Sequence, residues 1–89
     1  MASFLVESYA PDLSDAGFAR SVNRAREAAE ALRESGVRVR HLRSYVVPED
    51  EMSFHVFEAA SVDEVLRAVE LAGIALGRVV EAVGVRSDP

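Results

Sequence analysis

The stretch that decides the fold runs Val37-Arg38-Val39-Arg40-His41-Leu42-Arg43-Ser44-Tyr45-Val46-Val47, then Pro48-Glu49-Asp50-Glu51, then Met52-Ser53-Phe54-His55-Val56-Phe57-Glu58. Two runs of β-formers flank a Pro-led acidic turn of ordinary hairpin length. In the first run, Val37, Val39, His41, Arg43, Tyr45 and Val47 alternate with Arg38, Arg40, Leu42, Ser44 and Val46, so the two sets lie on opposite faces. Neither face is cleanly apolar, which suits an edge strand whose charges discourage unwanted pairing. With Val47 set opposite Met52, the register places Tyr45 against Phe54, Ser44 against His55, Leu42 against Phe57 and His41 against Glu58. That register puts the two histidines on opposite faces, and a one-residue slip would exchange them.

On the N-terminal side, Gly36 stands where a helix ends. Upstream, Phe18, Val22, Ala25, Ala29 and Leu32 recur 4, 3, 4 and 3 residues apart, one apolar stripe at helical period. Ser14 is the expected N-cap, with Asp15 in the first turn favouring the helix dipole. Arg20, Arg24, Arg26, Glu27, Glu30, Arg33 and Glu34 occupy the other faces and read as a solvated surface. Before the helix, Ser3 to Tyr9 is a β-rich run that Pro11 stops. Phe4, Leu5 and Val6 are apolar in succession, as expected of a central strand covered on both faces.

On the C-terminal side, Ser61-Val62-Asp63-Glu64 matches a capping box. Val65, Leu66, Val69 and Ala72 supply the expected buried stripe, and Gly73 the stop. Ile74 to Gly77 reads as a loop, Arg78 to Val85 as a last strand, and residues 86–89 as a frayed tail. The order β-α-β-β-α-β is the ferredoxin-like split βαβ arrangement of the α+β class. Right-handed crossovers then place two helices on one face of a four-stranded antiparallel sheet. The other face carries large apolar groups, each gaining roughly 1.5–3 kcal/mol on burial. A second copy or a small ligand is expected to cover it, and a homodimer is the simplest cover.

Composition narrows the function classes. Eighty-nine residues make a single domain over 1–89, with a core that is marginal alone. A formal charge of −5 disfavours nucleic acid as a partner. No stretch of 18 apolar residues suggests a membrane span. Met1-Ala2-Ser3-Phe4 lacks the basic start of a signal peptide, so a cytoplasmic location is the default expectation. There is no cysteine, hence no disulfide, thiolate ligand or Cys nucleophile. All ten basic residues are Arg, which removes a Schiff-base lysine.

His55 is the leading candidate for chemistry, as a metal ligand, a general base or a hydrogen-bonded core histidine. His41 is the second candidate ligand, although the pair has no HxH or HExxH spacing. Glu7 and Glu81, on neighbouring strands, are expected on one face, as oxygen ligands or as a base beside Tyr9. Glu49, Asp50 and Glu51 form a turn that could hold a surface cation. No Gly-rich phosphate loop, GxSxG or Ser-His-Asp order is present. Should the sheet face enclose a cavity in a dimer, His55, Tyr45 and Glu7 form the expected acid–base set of a cofactor-free oxygenase or isomerase. The remaining alternative is an interaction module whose covered sheet face is its whole task.

Several short segments carry a family resemblance. They are Phe4-Leu5-Val6-Glu7, Gly36-Val37, Ser44-Tyr45-Val46, Ser53-Phe54-His55, Phe57-Glu58-Ala59-Ala60-Ser61, Ala72-Gly73 and Arg78-Val79-Val80-Glu81-Ala82-Val83. Together they make the chain similar to a bacterial domain-of-unknown-function family of small ferredoxin-like proteins, some described as nickel-binding. The resemblance implies a homodimer and, in some members, a bound divalent nickel. The family commonly carries a His before its Ser-Tyr-Val, where this chain has Arg43. It commonly carries a Cys after its Thr-Phe, where this chain has His55. Imidazole suits Ni(II) and guanidinium does not ligate cations, so the resemblance leaves His55 as the matched metal position.

Overall fold

The computed structural model describes residues 1–11 and 13–84. Strand β1 is Ala2–Tyr9, helix α1 Asp15–Glu34, β2 Val39–Val47, β3 Met52–Ala59, helix α2 Val62–Ala72 and β4 Arg78–Ala82. The sheet order is β2-β3-β1-β4, antiparallel throughout. Both helices pack on one side, so the ferredoxin-like arrangement expected from the chain order is the one found. Strand β2 is an edge and β1 is central, as their patterns required. Strand β4 stops at Ala82; Val85 and the expected tail at 86–89 lie outside the described residues.

The local signals account for most boundaries. The Ser14 hydroxyl accepts from the Gly17 amide at 3.0 Å and caps α1. Gly36 lies just past that helix with φ +89°, the left-handed conformation that glycine adopts without a Cβ penalty. At α2 the expected reciprocal capping box is not formed. Ser61 is the N-cap without bonding a backbone amide, and its hydroxyl donates instead to the Glu64 carboxylate. The acidic turn is a single 3-10 turn, Pro48–Asp50, closed by Glu51 in the left-handed region.

The core lies between the sheet and the helices. Phe4, Val6, Val39, Phe57 and Ala59 meet Ala25, Ala29, Val65, Ala68 and Val69. The α1 stripe buries Ala25 and Ala29 fully, while Phe18 and Val22 near its start are only half-buried. On α2 the expected stripe needs a correction. Leu66 is exposed and Ala68 takes its place, because residues 65, 68, 69 and 72 share one helical face and 66 is a hundred degrees round. Gly77 closes the approach to β4. Its amide donates to the Glu7 carbonyl at 2.7 Å, and a Cβ there would sit 2.7 Å from that same oxygen, leaving no room for a side chain.

The helix-facing layer of the sheet is graded. Its one end is apolar, with Ala2, Phe4, Ala59 and Phe57 paired across β1 and β3. Its other end is polar, with Ser8 paired to Ser53 and Val6 to His55. The opposite sheet face carries Leu5, Phe54, Val56 and Val80, all partly exposed, with the more open Tyr9 and Tyr45.

Candidate functional site

The polar end of the buried layer centres on His55. Its position is fixed by strand parity: Ser53, His55, Phe57 and Ala59 alternate inward on β3. The residue is wholly buried. Its Nδ1 lies 2.7 Å from the Ser44 hydroxyl, placed on the adjacent strand by the Ser44–His55 pairing. The same hydroxyl lies 2.8 Å from His41 Nε2. A single serine thus joins two imidazoles whose centroids are 6.5 Å apart.

That convergence corrects the expected register. From Val47 to Ser44 the pairing is as expected, Tyr45 opposite Phe54 included. Between Arg43 and His41 the ladder shifts by one, so His41 faces Phe57 rather than Glu58, and Leu42 is the extra residue. A bulge reverses the alternation beyond it. His41 therefore turns to the helix side, onto the face of His55, and its ring meets Phe57 edge-on with centroids 5.5 Å apart.

Burial, then the nearby His41, then Arg24, hold the His55 pKa down to about 4. His41 is also depressed, by burial first and the Arg26 charge second. At neutral pH the pair is uncharged. The His55 Nε2 is buried with no hydrogen-bond partner, and a buried polar atom left this way costs about 1–3 kcal/mol. Nδ1 is committed to β2, so Nε2 is directed away from that strand by the geometry of the ring.

Beside the ring, and lined by β1 residues but by none of β2, is a cavity of about 220 Å³. His55, Ser8, Ser53, Ser21, Arg24 and Leu13 are among the residues lining it. Arg24 reaches over from α1. Its Nε donates to the Ala72 carbonyl at 3.0 Å and an Nη to the Ser21 hydroxyl at 3.3 Å, which holds the guanidinium in place with further N–H groups to give. A larger depression of about 400 Å³ is lined by Met1, Arg33 and residues 36–40, but no orphaned polar atom belongs to it.

The other sequence candidates fall elsewhere. Glu7 is on the open face, in an ion pair with Arg78 at 2.6 Å. Glu81 pairs with Phe4 and so takes the helix-side parity, against the expectation that Glu7 and Glu81 share a face. Tyr45 is on the open face, half exposed, with its hydroxyl accepting from Arg43 at 3.4 Å. The expected acid–base set of His55, Tyr45 and Glu7 is therefore divided between two faces of the sheet. Tyr9 is the pocket candidate that lines the His55 cavity. Nothing in the sequence pattern marks Ser44 or Arg24 as a site residue. A signal was present for the cavity: Ser8 and Ser53 sit in phase with Phe4, Val6 and Phe57, polar side chains on a buried face.

A cation fits this site poorly. Among the described residues no group of three or more His, Asp or Glu could hold a metal ion, at the Glu49–Glu51 turn or elsewhere. His41 Nε2 is already engaged by Ser44, which leaves His55 a lone donor beside the positive Arg24.

The fold is shared with a solved protein. SCO4226 from Streptomyces coelicolor A3(2), known from its crystal structure, superposes with a TM-score of 0.73 over 96% of this chain and 100% of that one, at 19% identity. At that identity the likeness concerns the fold. No family model and no curated protein matches the chain. Among the described residues no helix is long and apolar enough to cross a membrane.

Proposed function

We propose that this chain is a homodimeric protein that binds a small acidic molecule in the His55 cavity. The observation that carries the reading is the buried His55 Nε2 without a partner, beside a cavity of about 220 Å³. That volume is below the 300–1,000 Å³ typical of drug-sized ligands, so the occupant is small. Arg24 offers charged N–H donors at one end, and serine hydroxyls 8, 21 and 53 line the walls. A carboxylate at Arg24 places the rest of a small acid toward the imidazole.

The test is a titration of ¹⁵N-labelled protein with pyruvate and with benzoate. Saturable shifts at Ser8, Ser53 and His55 support the reading, and Arg24→Ala is expected to weaken binding by roughly ten-fold or more, the worth of one charged hydrogen bond. Arg24 is exposed, so the variant keeps its core. Undisturbed signals with both acids overturn the proposal. In parallel, Ni(II) is titrated by calorimetry into wild type and His55→Ala. A saturating heat lost in the variant would instead favour the nickel-binding reading that the family resemblance implies.

The dimer rests on the sheet face away from the helices. Leu5 lies at its centre, between Val56 on β3 and Val80 on β4, and among the described residues no element covers it. Wild type is expected to scatter light as a dimer, and Leu5→Arg as a folded monomer, because burying an unpaired charge in an interface costs several kcal/mol. A wild-type protein that scatters as a monomer would remove the dimer.

A further inference from the structure

We propose that the His55 cavity selects a short hydroxy or oxo acid, and that the Ser8 and Ser53 hydroxyls make the selection. The inference rests on the acid-binding role given to that cavity above and names the class of acid.

Ser8 and Ser53 face each other across the two central strands, β1 and β3. Strand alternation turns both toward the helices, in phase with Val6 and Phe57. Both are more than nine-tenths buried, at 5% and 3% exposure. A buried hydroxyl ordinarily has a hydrogen-bond partner. Among the described residues, the serine hydroxyls that do bond are those of Ser14, Ser21, Ser35, Ser44 and Ser61. Ser8 and Ser53 are not among them. Nor are their oxygens sealed, because the enclosed and unpartnered side-chain atom among the described residues is His55 Nε2. The two hydroxyls therefore keep a little open surface, and the space they border is the cavity. Alanine at either position would fill the same layer with no polar atom to satisfy, so the core gives no reason for these oxygens.

Directly opposed side chains on antiparallel strands stand about 4.5–5.5 Å apart at Cβ. One ligand oxygen set between the two hydroxyls can bond both at the usual distance of about 2.8 Å. A serine hydroxyl gives one proton and accepts others. A ligand hydroxyl donates to one serine and accepts from the other, and a keto oxygen accepts from both. A methyl group in that place does neither and leaves both serines unpaired. Arg24 fixes the other end of the molecule. Its Nε and one Nη are held by the Ala72 carbonyl and the Ser21 hydroxyl, and the remaining N–H groups can take a carboxylate. No Asp or Glu is among the described lining residues, so an ammonium in place of the ligand hydroxyl would meet Arg24 without a counter-charge. Leu13 and Ile74 add apolar wall, and a volume of about 220 Å³ limits the acid to a few carbons.

The test compares lactate, pyruvate and isobutyrate, with dissociation constants read from amide shifts of ¹⁵N-labelled protein. Isobutyrate has the lactate skeleton with a methyl in place of the hydroxyl. At least one of lactate and pyruvate is expected to bind roughly ten-fold more tightly than isobutyrate, the worth of two neutral hydrogen bonds. In Ser8→Ala/Ser53→Ala that preference is expected to vanish while isobutyrate binds as in wild type. Equal binding of all three acids to wild type overturns the selection and leaves the acid-binding reading in place. Failure of all three to bind overturns both. A preference that persists unchanged in the double variant removes the serines as its source. The serines are also tested with no ligand present. Because their hydroxyls hold nothing in the fold, the double variant is expected to melt at or above the wild-type temperature. A midpoint several degrees lower would assign the hydroxyls to the fold and overturn the proposal.

Discussion

Phe57→Ala is expected to lose about 3–5 kcal/mol of stability, the cost of deleting a buried aromatic ring whose cavity only partly collapses. Phe57 is fully buried, and it is the largest such side chain in the molecule's described part. It pairs with Phe4 on β1 and, through the bulge, with His41 on β2. It belongs to the cluster with Val39, Ala25 and Val65 that joins sheet to helices. A domain of this size has a total stability of about 5–15 kcal/mol, so the loss is a large share of it. Each kcal/mol shifts the midpoint by about 4–8 °C in a small domain, and the melting temperature should fall by more than ten degrees. Thermal and urea unfolding followed by circular dichroism measure it. A midpoint within a degree or two of wild type would show that this ring is not central to the core.

Acidification is expected to weaken the fold through His55, by about 3 kcal/mol between pH 7 and pH 4. In the unfolded chain a histidine titrates near 6.5, and in the fold His55 titrates at about 4. Above pH 6.5 the ring is neutral in both states and contributes no pH dependence. Between 6.5 and 4 the unfolded state binds the proton and the folded state does not, so stability falls as pH falls. Below about 4 both states are charged and this contribution levels off. His41 is depressed as well and adds to the slope with the same sign. Urea unfolding at intervals across this range should show the decline in wild type. In His55→Leu it should shrink to the part supplied by His41 and, toward pH 4, by Glu64, whose carboxyl the Ser61 hydroxyl holds below its usual value. The same slope in both proteins would mean that His55 is not the group responsible.

Alternation and helical period were enough to derive the six elements, the single-sided helix layer and the edge position of β2. Those features depend on which residues are apolar and how they are spaced, and both are printed in the chain. Ser14 starts a helix, and Gly36 and Gly73 end helices, for reasons that act within one turn. Even the Ser44–His55 pairing was legible, because it lies close to the turn and counts outward from Val47 and Met52. The His41 position was not. It depends on a single extra residue at Leu42, and a bulge is settled by how the edge strand fits its neighbour and the helices above, not by local preference. Arg24 reads as one of many solvated arginines on α1 until the end of α2 brings the Ala72 carbonyl within reach of its Nε. The sequence alone thus determined the layers and the pairing of Ser44 with His55. Only tertiary packing decided that a second histidine and an arginine would join that pair, because His41 waits on the bulge at Leu42 and Arg24 on a carbonyl 48 positions away, and local patterns carry no record of either.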